Sequence, residues 1–168
     1  MVLTDVDGTL TDGTLAVLPD GEELKSYHVK DGLAVLLAQI AGLELGIITG
    51  KTSAALVKRA ARLKIKILYQ GAVDKIPAFE DILRKSGLRP EEIAYIGDDL
   101  GDLAVLRRVG LAAAVADAHP LVRRTAHYVC RERGGRGAYR EFIEYIIGAQ
   151  KKWDAVTAGF KTLFDRKI

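Results

Sequence analysis

Close to the amino terminus, Thr4-Asp5-Val6-Asp7-Gly8-Thr9 sets two aspartates one residue apart, between a short apolar run and a glycine turn. Side chains at i and i+2 of an extended segment point the same way, so on this spacing Asp5 and Asp7 repel each other unless a cation or a shared proton intervenes. Three other features belong with them: Thr49-Gly50 after an apolar run, Lys75 at the start of a helical pattern, and Gly97-Asp98-Asp99 after Ile93-Ala94-Tyr95-Ile96. Converging carboxylates call for a hard divalent cation, and oxygen-only ligation with retained waters suits Mg²⁺. A lysine and a hydroxyl beside such an ion, helped by turn N–H groups, would grip an anionic group, with phosphate the natural choice.

Hydrolysis of a phosphomonoester follows from that set. Asp5 attacks phosphorus to form an aspartyl phosphate, while Asp7 protonates the leaving alkoxide and then takes a proton from the attacking water. Asp5, Asp7 through its carbonyl, and Asp98 hold the metal, and Lys75 and Thr49 position the transferring group. Asp99 and Asp102 hold metal-bound waters or orient Lys75. Taken singly, Asp7 reads as a turn former and Asp98-Asp99 as a helix cap. Their common placement at strand ends is what favours catalysis.

The elements that must position these residues are legible in the pattern. Thr14–Leu18 and Glu23–Tyr27 flank Pro19-Asp20-Gly21 as a hairpin. Helices are expected from Asp31 to about Ala41, from a Ser53 cap to about Leu63, from Lys75 to Ser86 and from Leu103 to Val109. Strands are expected at Leu45–Ile48, Ile65–Tyr69, Ile93–Ile96, Leu111–Val115 and Tyr128–Cys130. Continuous apolar strands alternating with helices imply an α/β domain, a doubly wound and mostly parallel sheet, and such sheets bind ligands at the carboxyl ends of their strands.

Composition narrows the partners. The 168 residues are 49% hydrophobic, enough for one domain with its own core. Twenty-five basic and 22 acidic side chains leave a charge of +3, too mild and dispersed to suggest nucleic acid. The run Lys58, Arg59, Arg62, Lys64 and Lys66 reads as a solvated face. Cys130 stands alone in a buried strand pattern and does not read as a nucleophile. No signal core and no membrane-spanning run is evident, so cytoplasm is the default and no membrane partner is expected.

In their order, Asp-x-Asp-Gly-Thr, Thr49, Lys75 and Gly97-Asp98-Asp99 resemble the motifs of the haloacid dehalogenase superfamily, whose Rossmann-like fold the resemblance therefore implies. Aspartate at position 7 points to its phosphatases. Neither the stretch from Asp7 to Thr49 nor that from Thr49 to Lys75 can house a cap domain, so a neighbouring subunit is expected to shield the site. Capless relatives are similarly tetrameric through their hairpins, and a homotetramer through the hairpin at about 14–27 is what the resemblance implies. Gly21-Glu22-Glu23-Leu24-Lys25, Val29-Lys30-Asp31-Gly32, Tyr69-Gln70-Gly71, Ala116-Asp117-Ala118-His119-Pro120 and Gly134-Gly135-Arg136-Gly137 resemble the 3-deoxy-D-manno-octulosonate 8-phosphate phosphatase sub-family over roughly residues 1 to 150.

That resemblance implies a small anionic sugar phosphate as substrate, a role in making a lipopolysaccharide precursor, and contacts from Thr49, Gly50, Lys51, Lys75, Asp31, His119 and Arg136. At Lys51 the sub-family usually has arginine, and lysine lacks its bidentate fork. A nonulosonate 9-phosphate phosphatase is the nearest alternative, and a silent oligomerising or regulatory module is the alternative from another class. The domain is expected to span 1–148. The helical tail at 149–168 carries an apolar stripe of Trp153, Val156, Phe160, Leu163 and Phe164, which docks on its own domain or on a neighbour.

Overall fold

The computed structural model describes residues 1–165. The chain runs β1 (Val2–Thr4), β2 (Ala16–Val17), β3 (Glu23–Leu24), α1 (Val29–Ile40), β4 (Leu45–Ile48), α2 (Ala54–Arg62), β5 (Ile67–Tyr69) and α3 (Ile76–Ser86). It continues with β6 (Ala94–Gly97), α4 (Leu103–Leu106), β7 (Leu111–Ala114), α5 (Pro120–Thr125), β8 (Tyr128–Val129), α6 (Ala138–Ala149) and α7 (Trp153–Asp165). Six strands form one sheet in the order β5-β4-β1-β6-β7-β8, every pair parallel. β2 and β3 stand apart as an antiparallel hairpin.

A parallel sheet must be covered on both faces, which is why its strands are continuously apolar. β1, β4 and β6 are buried along their whole length. α1 packs with α6 and α7, and Gln39 of α1 also bonds the carbonyl of Leu63 at the end of α2. α3 and α5 pack against α4, covering the other face. The chain moves from β1 to β4 and β5, then crosses back to β6 on the other side of β1. That reversal puts the topological switch point at the carboxyl end of β1, where Asp5 follows.

Local chemistry sets the element ends. Ser53 Oγ accepts from Leu56 N–H, as its place before α2 predicts. α3 takes Pro77 in its first turn and stops at Gly87, whose φ of 71° suits the left-handed stop. The hairpin pairs over less than the expected Thr14–Leu18 and Glu23–Tyr27, because Leu18 is already engaged by turn bonds with Gly21 and Glu22. α4 ends at Leu106 rather than Val109, after a 3-10 turn at Leu100–Asp102. α5, unforeseen in the pattern, starts on Pro120 with His119 as its cap.

Of the basic run, Lys58, Arg62, Lys64 and Lys66 are exposed, but Arg59 turns inward with its guanidinium 5.5 Å from the centre of the Tyr27 ring. Cys130 is buried, its thiol donating to the Ala138 carbonyl, and burial pushes it up to about 12, so it is inert. No helix among the described residues is long and apolar enough to cross a membrane.

The tail folds back on its own domain. Lys152 Nζ donates to the Ala41 carbonyl at 2.8 Å, satisfying an orphan acceptor at the end of α1. Gly159 lets α7 approach closely, since a Cβ there would lie 2.6 Å from Ile40 Cγ2. Val156 is 1% exposed and Phe160 packs against the core, whereas Trp153 and Leu163 remain exposed. The Phe164 side chain lies outside the described residues. Truncation of a fully buried valine removes two methyl groups, so Val156→Ala is expected to destabilise the protein by about 1–2 kcal/mol. Urea unfolding measures this, and an unchanged midpoint would mean that α7 does not dock as described.

Candidate active site

Asp5 leaves β1 with its N–H still bonded to the Ile96 carbonyl at 3.0 Å, which fixes the carboxylate beside the end of β6. The chain then turns sharply. The N–H groups of Thr9, Leu10 and Thr11 all converge on the Val6 carbonyl, and Gly8 takes a φ of 93°. Gly8 is required twice over, for its left-handed backbone and because a Cβ there would sit 2.1 Å from Asp98 Oδ2. Thr9 Oγ1 donates to Asp98 Oδ1 at 3.1 Å, tying this turn to the loop after β6.

Lys75 caps α3 and reaches back under the sheet edge with only 6% of its side chain exposed. Its ammonium lies 2.5 Å from Asp5 Oδ1, 2.6 Å from Asp102 Oδ1 and 3.1 Å from the Tyr95 hydroxyl. Tyr95 in turn donates to Asp102 Oδ1 at 2.5 Å. The other Asp102 oxygen accepts from the N–H groups of Asp98 and Asp99 at 2.9 and 3.2 Å. Asp102 thus spends both oxygens on holding Lys75 and the aspartate loop. Gly97 makes this possible, as a Cβ there would lie 2.4 Å from Asp102 Cγ.

Asp5, Asp98 and Asp102 each bring an oxygen within 4.8 Å of the others. Among the described residues Lys75 is the only cation paired with them, and burial and mutual repulsion dominate. Asp98 is pushed up to about 8, by burial first and then by the charges of Asp5 and Asp102. Asp5 rises to about 6, where burial and Asp102 outweigh the opposing pull of Lys75. Burial works against the charge on Lys75, but Asp5 and Asp102 reverse that and raise it overall. An all-oxygen cluster short of positive charge suits a hard divalent ion, and Asp5 and Asp98 are the members with carboxylate oxygens left to offer it.

The expected repulsion between Asp5 and Asp7 is not what the structure contains. Asp7 turns its carboxylate to Lys25, an almost wholly buried ammonium arriving from the hairpin. The convergent carboxylates are Asp5, Asp98 and Asp102. Lys25 and Tyr95 were both missed in the sequence. Tyr95 reads as one more apolar strand residue, whereas for Lys25 the alternation Glu23, Leu24, Lys25 offered a signal, two charged residues on one face of a strand.

Thr49 follows β4, buried, its N–H on the Tyr69 carbonyl at 2.9 Å and its own carbonyl accepting from Ala72 at 3.0 Å. With Gly50, Lys51, Asp5, Asp7, Lys75 and Asp98 it borders an open basin of about 190 Å³. Lys51 is exposed and pairs with Glu23 of the hairpin at 3.3 Å. Asp31, His119 and Arg136 do not line this basin. Asp31 is buried at the start of α1, accepting from Arg140 N–H at 2.9 Å. His119 gives its N–H to the Asp98 carbonyl at 2.7 Å, while its Nδ1 caps α5. Arg136 binds Asp12 at 3.0 Å on the outer side of the Asp5 turn. The glycines before it press on that turn, and a Cβ on Gly134 would fall 1.7 Å from the Gly8 carbonyl oxygen.

The sequence and the fold are similar to those of known proteins. Residues 64–141 match the family of haloacid dehalogenase-like hydrolases. The chain is 46% identical over 154 residues to the 3-deoxy-D-manno-octulosonate 8-phosphate phosphatase KdsC of Escherichia coli K12, covering 92% of this chain and 82% of that protein. The crystal structure of 3-deoxy-D-manno-octulosonate 8-phosphate phosphatase from Yersinia pestis superimposes with a TM-score of 0.89 at 45% identity, over 91% of this chain and 83% of that one. The Moraxella catarrhalis enzyme of the same name, in complex with magnesium, phosphate and KDO, gives 0.91 at 38% identity, over 95% and 91%. With this sheet, this cluster at its switch point and no cap domain among the described residues, the chain belongs to the haloacid dehalogenase-like hydrolases.

Proposed function

We propose that this protein is a Mg²⁺-dependent phosphatase that hydrolyses 3-deoxy-D-manno-octulosonate 8-phosphate to KDO and inorganic phosphate. The observation that carries the reading is Lys75, buried between Asp5 and Asp102 with Asp98 across the cluster, in a chain 46% identical to a phosphatase of that substrate. When bound, Mg²⁺ neutralises charge on the transferring phosphoryl group.

Asp5 is the nucleophile, held in line by Lys75 and by its bond to β6. Asp7 is the acid that protonates the departing sugar oxygen and the base that takes a proton from water in the second step. Asp5, Asp98 and the Asp7 carbonyl are the metal ligands, and Asp102 with Tyr95 holds Lys75 in register. Thr49, Gly50 and Lys75 grip the phosphoryl group, and Lys51 at the rim meets the sugar acid. His119, Arg136 and Asp31 do not border the basin, and their support of substrate recognition is indirect, through the backbone segments they hold.

The hairpin stands where a cap would be. Leu15, Val17 and Leu24 are exposed on it, an apolar surface suited to a second copy of the chain. A homotetramer that closes the open basins of its subunits is the assembly we propose. Light scattering on the purified protein is expected to give four times the chain mass, and a fully active monomer would remove this part of the reading.

Phosphate release from a panel of 2-keto-3-deoxy sugar phosphates tests the activity. With Mg²⁺ the octulosonate 8-phosphate is expected to be turned over in preference to nonulosonate 9-phosphates, and Asp5→Asn to lose at least about 10³-fold, as expected for a missing nucleophile. No release from any of them would defeat the phosphatase reading.

The metal site has its own test. In the unfolded chain both carboxyls titrate near 3.8, whereas in the folded protein Asp5 holds its proton to about 6 and Asp98 to about 8. The folded state therefore binds more protons across that window, and the metal-free protein loses stability as pH rises from about 4 to 8. A divalent ion on the ionised carboxylates relieves this. The rise in melting temperature on adding Mg²⁺ is accordingly expected to be larger at about pH 8 than at about pH 5. A rise independent of pH would place the ion elsewhere.

A further inference from the structure

Lys25 has a placement that the phosphatase reading leaves unexplained. It belongs to the return limb of the hairpin, directly after β3, yet only 2% of its side chain is exposed and its ammonium bonds Asp7 Oδ1. Asp7 Oδ2 is also buried and has no hydrogen-bond partner among the described residues. Burying an ammonium is expensive unless its partner repays the desolvation, and a carboxylate oxygen left bare under the same cover adds to that cost. A residue needed only to fasten the hairpin has a cheaper solution in the same strand. Glu23, two positions earlier and on the same face, pairs with Lys51 at the surface.

We propose that Lys25 is a positioning residue for proton transfer by Asp7, which rests on the phosphatase reading given above. Its ammonium occupies Oδ1 and fixes the rotation of the carboxyl group, so that Oδ2 is the atom that carries the proton. In the first step the oxygen of Asp5 bonds to phosphorus and the ester P–O bond breaks. Its electron pair goes to the sugar oxygen, and the proton on Asp7 Oδ2 follows it, leaving an Asp7 carboxylate paired with Lys25. In the second step a water oxygen bonds to phosphorus, Asp5 leaves as carboxylate, and the water proton returns to Oδ2. The hairpin thus reaches the reaction through a single side chain, in addition to whatever it does for assembly.

Fastening and positioning predict different kinetics. A primary sugar alkoxide is a poor leaving group that needs its proton, whereas p-nitrophenolate departs without one. With Mg²⁺ present, Lys25→Met is expected to lower kcat for the octulosonate 8-phosphate by about 10-fold or more, and kcat for p-nitrophenyl phosphate by less than about 3-fold. A double-mutant cycle on the sugar phosphate adds a second reading. If Lys25 acts through Asp7, Lys25→Met is expected to cost little once Asp7→Asn is in place. Lys25→Gln, with melting curves for each variant, serves the same cycle with a polar replacement. Equal losses on the two substrates, or losses that multiply in the cycle, would assign Lys25 to fastening alone and overturn the proposal. Wild-type protein inactive on the sugar phosphate would instead defeat the phosphatase reading itself.

Discussion

One buried ammonium organises this molecule. Lys75 lies between Asp5 and Asp102 with Tyr95 against it and Asp98 close by, all at the carboxyl ends of the two central strands. In low dielectric a lone lysine would shed its proton and lone aspartates would keep theirs. Here, against its burial, Lys75 is held charged by Asp5 and Asp102, while burial and mutual repulsion push Asp5 and Asp98 toward their protonated forms, so the cluster is one cation short. The desolvation that makes the cluster unfavourable on its own is what a small, highly charged ion would relieve. It also spares the site reorganisation when charge develops on a transferring group.

The rest of the fold follows from bringing these groups together. β1 lies at the centre of the sheet with β4 and β6 on either side, so the loops after all three meet at one place. Close approach is then bought with glycine. Gly8 admits Asp98, Gly97 admits Asp102, and Gly134 lies on the Gly8 carbonyl, positions where a Cβ would come within 1.7 to 2.4 Å of its neighbour. These contacts couple the loop before α6 to the turn that carries Asp5, although neither Gly134 nor Arg136 borders the basin. A segment remote from the chemistry in sequence therefore forms part of its support.

What was legible in the chain divides along physical lines. Asp5, Thr49, Lys75 and Asp98 could be found because each ends a strand or opens a helix, and apolar runs, glycines and caps mark such places locally. Element ends moved by one to a few residues, as expected where turn bonds compete with the ladder, at Leu18 or after Leu106. Partnership was not legible. Asp5 and Asp7 share a spacing that suggests mutual repulsion, but the sharp turn at Gly8 and the arrival of Lys25 give each its own cation. Arg59 belongs to a charge run that is otherwise solvated, and turns inward because an aromatic ring lies within its reach. Tyr95 looks apolar in sequence, and its hydroxyl matters only because Asp102 and Lys75 fold over it.

The hairpin brings these strands of reasoning together. Its return limb alternates: Glu23 and Lys25 reach charges of the site, whereas Leu24 between them is exposed on the other face with Ala16 across the pair. A phosphatase with a cap moves a separate domain to cover its chemistry. In the proposed reading this ribbon takes that place, so the contact that would assemble subunits and the contact that would hold the acid/base aspartate lie on the same few residues. Two-residue strands are too short to be rigid by themselves. They hold their place because the inner face is fastened to charges in the site, and a partner covering the outer face would stiffen that fastening further. If both proposals hold, substrate selection by a neighbour and proton transfer within the subunit are coupled properties, since both would depend on where the ribbon lies.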